Sequence, residues 1–170
     1  MPDRNNNSKK SILIICPFPQ DVAAGQRLKY EQYFNHWEDN GYEITISSFM
    51  NQSMWNVVYL KGRYLSKIIG TITGYLYRLR DLFRISKYDI IYVHMWVTPF
   101  GSTLPERIVR ALSNKLIYDI EDNTITTVSS NVNSIIAPLK NSNKNKFLMK
   151  MADYVITSSP TLNKHCLDVN

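Results

Sequence analysis

Three acids close one apolar run. Asp119, Glu121 and Asp122 stand in YDIEDN, at the end of the buried-strand pattern of residues 115–120. Alternation along a strand puts Asp119 and Glu121 on one face and Asp122 on the other. A carboxylate at such a strand end can orient a hydroxyl or take its proton, or one of the acids can cap the turn or helix that follows. His94 ends a second apolar run, YVHMW, where an imidazole either meets a ligand or packs as a hydrogen-bonded residue. A third place is Gly25 in PFPQDVAAGQR, followed by Gln26 and Arg27. A glycine ahead of a helix lets the backbone approach an anion, and helix amides with Arg27 would converge on the charge. The plain alternative is a turn glycine beside a solvated cation.

Other chemistries find no support. A nicotinamide or flavin site would show GxGxxG after the first strand, and that loop holds one glycine. A phosphorylatable receiver would carry acids there, where Cys16 and Pro17 stand. Cys16 and Cys166 are the only cysteines, with no CxxC and no histidine cluster nearby. Neither a disulfide framework nor a zinc knuckle is expected, no metal ligands are assigned, and a reducing cytoplasm is the simplest location. The 170 residues suit one domain, and 44% hydrophobic content suffices for a packed core. No window nears the roughly 20 apolar residues of a spanning helix, and the run 12–16 is too short for a secretory leader.

The elements that must position these residues follow from periodicity. Residues 1–10 are polar and Asn-rich and are expected to be a disordered start. Residues 12–16 form a continuous apolar run ended by Pro17, the pattern of a central strand. A helix follows, with Tyr30, Tyr33, Phe34 and Trp37 stepping by three and four, closed by Gly41. Tyr42, Ile44 and Ile46 alternate with polar residues, which predicts a strand near a sheet edge over 42–49. Residues 63–84 carry a helical stripe, 89–95 a second apolar strand, and 115–120 a third. Thr103 and Glu106 stand at capping-box spacing ahead of another helix. Residues 123–145 read as loop with a short helix, 147–152 as helix, 154–157 as strand, and Pro160 opens a last helix. Strands and helices alternate, so the expected fold is α/β: a Rossmann-like, doubly wound parallel sheet with helices on both faces. Ligands of such sheets bind beyond the carboxyl ends of the strands, where all three chemical candidates fall.

The charge is localised. Residues 61–87 hold seven bases and one acid, a surplus equal to the whole chain's net +6. Arg78, Arg80 and Arg84 border the apolar stripe there, an arrangement that suits an anionic membrane surface. The stripe itself reads equally as the helix's core-facing side. Nucleic acid is not the expected partner, because the bases flank an apolar helical stripe rather than interleave with aromatics.

The order of motifs resembles a known family. ILIICPFP, AAGQRLKYEQYF and NGYEITISSF are similar to the amino-terminal half of GT-B glycosyltransferases of the retaining, nucleotide-sugar-using kind. DIIYVHMWVTPF with PERIVRALSNKLIYDIEDN resembles their next helix and strands, and ADYVITSSPTLNKH their closing strand and helix; the likeness spans about residues 11–167. It implies that residues 11–170 are one GT-B half, with the nucleotide-sugar-binding carboxyl-terminal domain outside these residues and supplied in cis or in trans. It also implies transfer of a hexose from a nucleotide sugar to a glycan or lipid-linked acceptor, in making a bacterial cell-surface polysaccharide.

The same resemblance places Gly25, Gln26 and Arg27 near donor phosphates and acceptor, His94 and Asp119 in the acceptor region, and Glu121 and Asp122 where many relatives have a His-Asp pair. No metal and no cofactor beyond the nucleotide-sugar co-substrate is implied, and the isolated chain is expected to be inactive. Two departures stand out: the first loop has one glycine where relatives often have two, and Glu121 replaces the usual histidine. The pair of glutamates eight positions apart that marks the nucleotide half does not occur. Cysteine usage and the basic segment together give the expected location as cytoplasmic, with peripheral attachment at the inner face of the plasma membrane. Two other classes stay open, a non-catalytic Rossmann-like interaction module and, further off, a nucleic-acid binder.

Overall fold

The computed structural model describes residues 9–121 and 143–169. Five strands form one parallel sheet: β1 (Lys10–Cys16), β2 (Tyr42–Ser48), β3 (Ile90–His94), β4 (Leu116–Ile120) and β5 (Tyr154–Thr157), in the order β2-β1-β3-β4-β5. Helices α1 (Ala24–Lys29), α2 (Phe34–Asp39), α3 (Gln52–Val58), α4 (Tyr64–Leu82), α5 (Leu104–Leu112), α6 (Asn143–Met151) and α7 (Pro160–Leu167) make the connections. The fold is α/β and Rossmann-like. β2 takes the edge that its alternating pattern predicted, and the winding reverses between β1 and β3, where such sheets open a crevice.

Both sheet faces are covered. Leu13, Ile15, Val93, Leu116 and Tyr118 pack on one side with residues of α5, α6 and α7 such as Val109, Leu148 and Leu162. On the other, Ile12, Ile14 and Tyr92 meet Tyr30, Phe34 and Trp37. Burial on both sides explains why β1 reads as an unbroken apolar run and not as an alternation.

Four expectations are corrected. The helix expected up to Gly41 is broken at Tyr30, whose backbone leaves helical geometry (φ −135°) while its ring turns into the core against Phe34 and Tyr92. Glu106 closes no capping box with Thr103; it is buried and accepts from Thr98 and Lys144. β1 begins at Lys10, inside the segment expected to be a disordered start, because Lys10 already pairs with Tyr42. Of the loop expected over 123–145, residues 143–145 open α6, and the rest lies outside the described residues, as do residues 1–8.

α4 is inverted relative to an ordinary amphipathic helix. Its inner face is Gly70, Gly74, Arg78 and Asp81. The glycines permit close approach: a Cβ at Gly70 would stand 2.7 Å from Met54 of α3, and one at Gly74 2.7 Å from the backbone oxygen of Phe49. Arg78, 3% exposed, donates to the carbonyls of Cys16 (2.8 Å), Ser47 (3.0 Å) and Val97 (2.7 Å), and to Asp81 (3.1 Å). It therefore ties the ends of β1 and β2 to the segment after β3, and the expectation that it faces a membrane is overturned. Arg80 and Arg84 also bond the Asp81 carboxylate, from more exposed positions.

Replacing Arg78 with Met removes the buried donor that three carbonyls and the Asp81 carboxylate share, so it should cost about 3–5 kcal/mol in urea unfolding. Arg80→Ala removes only a half-exposed partner and should cost less than about 1 kcal/mol. Similar losses in the two variants would contradict this account of the clamp.

Candidate functional site

Beyond the carboxyl ends of β3 and β4, four elements bring polar side chains together. Parallel register sets His94 beside Asp119. Asp119 is fully buried and accepts three hydrogen bonds: from the Tyr92 hydroxyl (2.7 Å), from His94 Nδ1 (3.0 Å), and from Lys29 Nζ, which also reaches the Ile120 carbonyl (3.2 Å). Burial alone would push the Asp119 carboxyl up. The bonds from His94, Lys29 and Tyr92 outweigh it and hold Asp119 below the usual carboxylate range. Burial, then the Asp119 charge, raises Tyr92 far above the ordinary phenol range, so its hydroxyl remains a donor.

An ionised Asp119 cannot donate, so the proton between it and His94 sits on Nδ1. That tautomer leaves His94 Nε2 as the working nitrogen. Nε2 is buried and has no hydrogen-bond partner among the described residues; Glu121 Oε2 stands 3.7 Å away, beyond direct hydrogen-bonding distance. Two acceptors thus converge on one point, an arrangement completed by a hydroxyl proton or by a second proton on the imidazole. The Tyr30 ring meets the His94 ring edge-on at 5.3 Å and fixes its plane. Just after His94, Met95 takes a left-handed backbone (φ 62°), held by its N–H to the Asp119 carbonyl and by the Tyr118 hydroxyl on its own carbonyl (both 2.9 Å). This reversal ends β3 at the histidine.

Glu121 is the more exposed member, at 34%, and its carboxylate lies against α1. A Cβ on Gly25 would fall 2.6 Å from Glu121 Oε1, so close backbone approach at Gly25 serves a carboxylate of the chain itself. Gln26, two positions before Leu28, is buried and spends its amide on Phe18 N–H and C=O and on Glu31, latching the first loop. Arg27 is exposed and joins none of these groups. Asp122 lies outside the described residues. Of the residues singled out from the sequence, Gly25, His94, Asp119 and Glu121 come together.

Lys29, Tyr30 and Tyr92 were missed. Tyr92 had a signal, since it shares the face of His94 by alternation; Lys29 stands one helical turn after Gly25, which puts both on one side of α1. Among the described residues no cluster of three metal-ligating side chains occurs. The chain matches no protein-family model, and no curated protein gives a significant match.

The depressed Asp119 pKa has a definite sign. Its contribution to stability is in full effect above the unfolded-state value of about 3.9 and is lost as pH falls through the lower folded value. Asp119→Asn should therefore cost about 3–5 kcal/mol at neutral pH by leaving Lys29 and His94 without their anion. The variant should also lose part of the stability drop below about pH 4 that the parent shows in acid titrations followed by circular dichroism. Parallel acid curves for the two proteins would show that Asp119 is not the titrating group.

Proposed function

We infer that this chain is the acceptor-side half of a glycosyltransferase, moving a hexose from a nucleotide sugar to a hydroxyl of a glycan or lipid-linked acceptor. The observation that carries the reading is the convergence of His94 Nε2 and Glu121 Oε2 beyond the strand ends, with Asp119 buried behind the imidazole. The order and spacing of the motifs over residues 11–167 support it.

In this reading the acceptor hydroxyl donates to His94 Nε2. As its oxygen bonds the anomeric carbon on the face that the nucleotide diphosphate leaves, the bond to the diphosphate breaks, the diphosphate departs with the electron pair, and the hydroxyl proton passes to Nε2. Lys29 already balances Asp119, so the new imidazolium finds its counter-charge in Glu121. Positive charge developing on the sugar is met by oriented dipoles and by the donor's own phosphates. The donor's nucleotide contacts belong to a second half, and the scheme requires no metal. It places the reaction in the cytoplasm, on the route to a cell-surface polysaccharide.

The purified 170-residue chain should be folded yet transfer no sugar, and it should bind UDP-hexoses more weakly than about 1 mM by calorimetry. Turnover by the chain alone overturns the half-enzyme reading. In an enzyme completed by its nucleotide half, Glu121→Gln should lower kcat on the order of 100-fold with an almost unchanged melting temperature. A variant that is destabilised but fully active makes Glu121 a structural residue and removes it from the site.

A further inference from the structure

The structure leaves one large apolar surface facing outward. Leu65, Ile68, Ile72, Leu76, Leu79 and Phe83 follow one another by three or four residues along α4 and its end, and all are exposed, from 50% at Leu79 to 79% at Phe83. Helical spacing places them on one side, opposite Gly70, Gly74, Arg78 and Asp81. Half a turn of rotation would hide the stripe, but it would pull Arg78 from the strand-end carbonyls and Asp81 from the Ser47 hydroxyl, and drive side chains into Phe49 and Met54. Outward exposure of the stripe is therefore built into the packing. A contiguous apolar face of this kind marks an interaction surface.

Charge selects the occupant. Lys61, Arg63 and Lys67 stand before or early in the helix, and Arg80, Arg84 and Lys87 at or beyond its end. The single acid of residues 61–87, Asp81, is buried. A second copy of the chain docking face to face would oppose two segments of equal positive charge. An anionic lipid surface accepts both the apolar stripe and the cations. We propose that α4 lies in the interface of an anionic bilayer, stripe down, with Lys61, Arg63, Lys67 and Lys87 toward the headgroups. It rests on the membrane and does not span it, since no helix among the described residues is long and apolar enough to cross one.

The helix runs about 28 Å at 1.5 Å per residue. Arg78 contacts the last residue of β1 and the end of β2, and Gly74 and Tyr75 meet Phe49 and Phe100, both past strand ends. α4 around Gly74 and Tyr75 thus stands on the carboxyl-edge side of the sheet, the side that carries His94 and Glu121. The inference holds whatever reaction occurs there.

The test is cosedimentation of the whole chain with vesicles of phosphatidylcholine alone, or with about one-third phosphatidylglycerol. Binding is expected only to the anionic vesicles, falling steeply with added salt. Ile72→Glu with Leu76→Glu, and separately Lys61→Glu with Lys67→Glu and Lys87→Glu, should each weaken it by at least about tenfold. All these positions are outside the core, and unchanged melting temperatures confirm that the variants fold. Equal binding to both vesicle types, no binding to either, or full binding by the variants overturns the proposal. So does a wild-type dimer in sedimentation velocity that the Ile72 and Leu76 pair abolishes, because the face then belongs to a second copy.

Discussion

The buried ion pair of Arg78 and Asp81 decides how α4 sits on the sheet, and much of the molecule follows from that placement. A guanidinium taken out of water is costly unless nearly every donor finds an acceptor. Here the acceptors are carbonyls at the ends of β1 and β2 and at Val97; that of Cys16 takes Arg78 as a second donor beside the Phe49 N–H. Desolvation lowers the Arg78 pKa from its ordinary range while the Asp81 charge opposes it, and Arg80 and Arg84 share that carboxylate. The helix and the strand ends satisfy each other.

A second buried charge, Asp119, is organised on the same principle and left open at one end. Its oxygens are filled by Tyr92, His94 and Lys29, and the imidazole it orients keeps, toward Glu121, a nitrogen with no hydrogen-bond partner among the described residues. The clamp at Arg78 is closed on all sides and is structural. The chain of contacts from Lys29 through Asp119 to His94 ends at a half-exposed carboxylate, where a ligand's proton can complete it. Close approach at Gly25 and the left-handed Met95 hold the two ends of that chain in place.

The two centres together give the molecule a working edge. The strand ends that Arg78 ties down are neighbours, through β1 and β3, of those that carry His94 and Glu121. Gly74 and Tyr75 of α4, just before Arg78, meet Phe49 and Phe100 on the same side. The apolar and basic face of α4 therefore lies near the site that His94 and Glu121 form.

Much of this was legible in the sequence. Apolar runs and the 3.6-residue period located every strand and the long α4; strand alternation put Asp119 and Glu121 on one face and β2 at the edge. These are local properties, because the period of a helix or strand is set by its own backbone geometry. Periodicity marks a stripe but carries no sign. The stripe of α4 reads equally as core-facing or outward until the ends of β1 and β2 stand over Gly70, Gly74, Arg78 and Asp81, and Arg78 becomes an interior residue only there. Lys29 is one of 20 lysines and arginines, and nothing near it in the chain announces Asp119, 90 positions away. The sequence alone determined the elements and the chemical types at their ends; the tertiary structure decided which charges are buried, because a buried charge is stabilised by partners that only folding brings within reach.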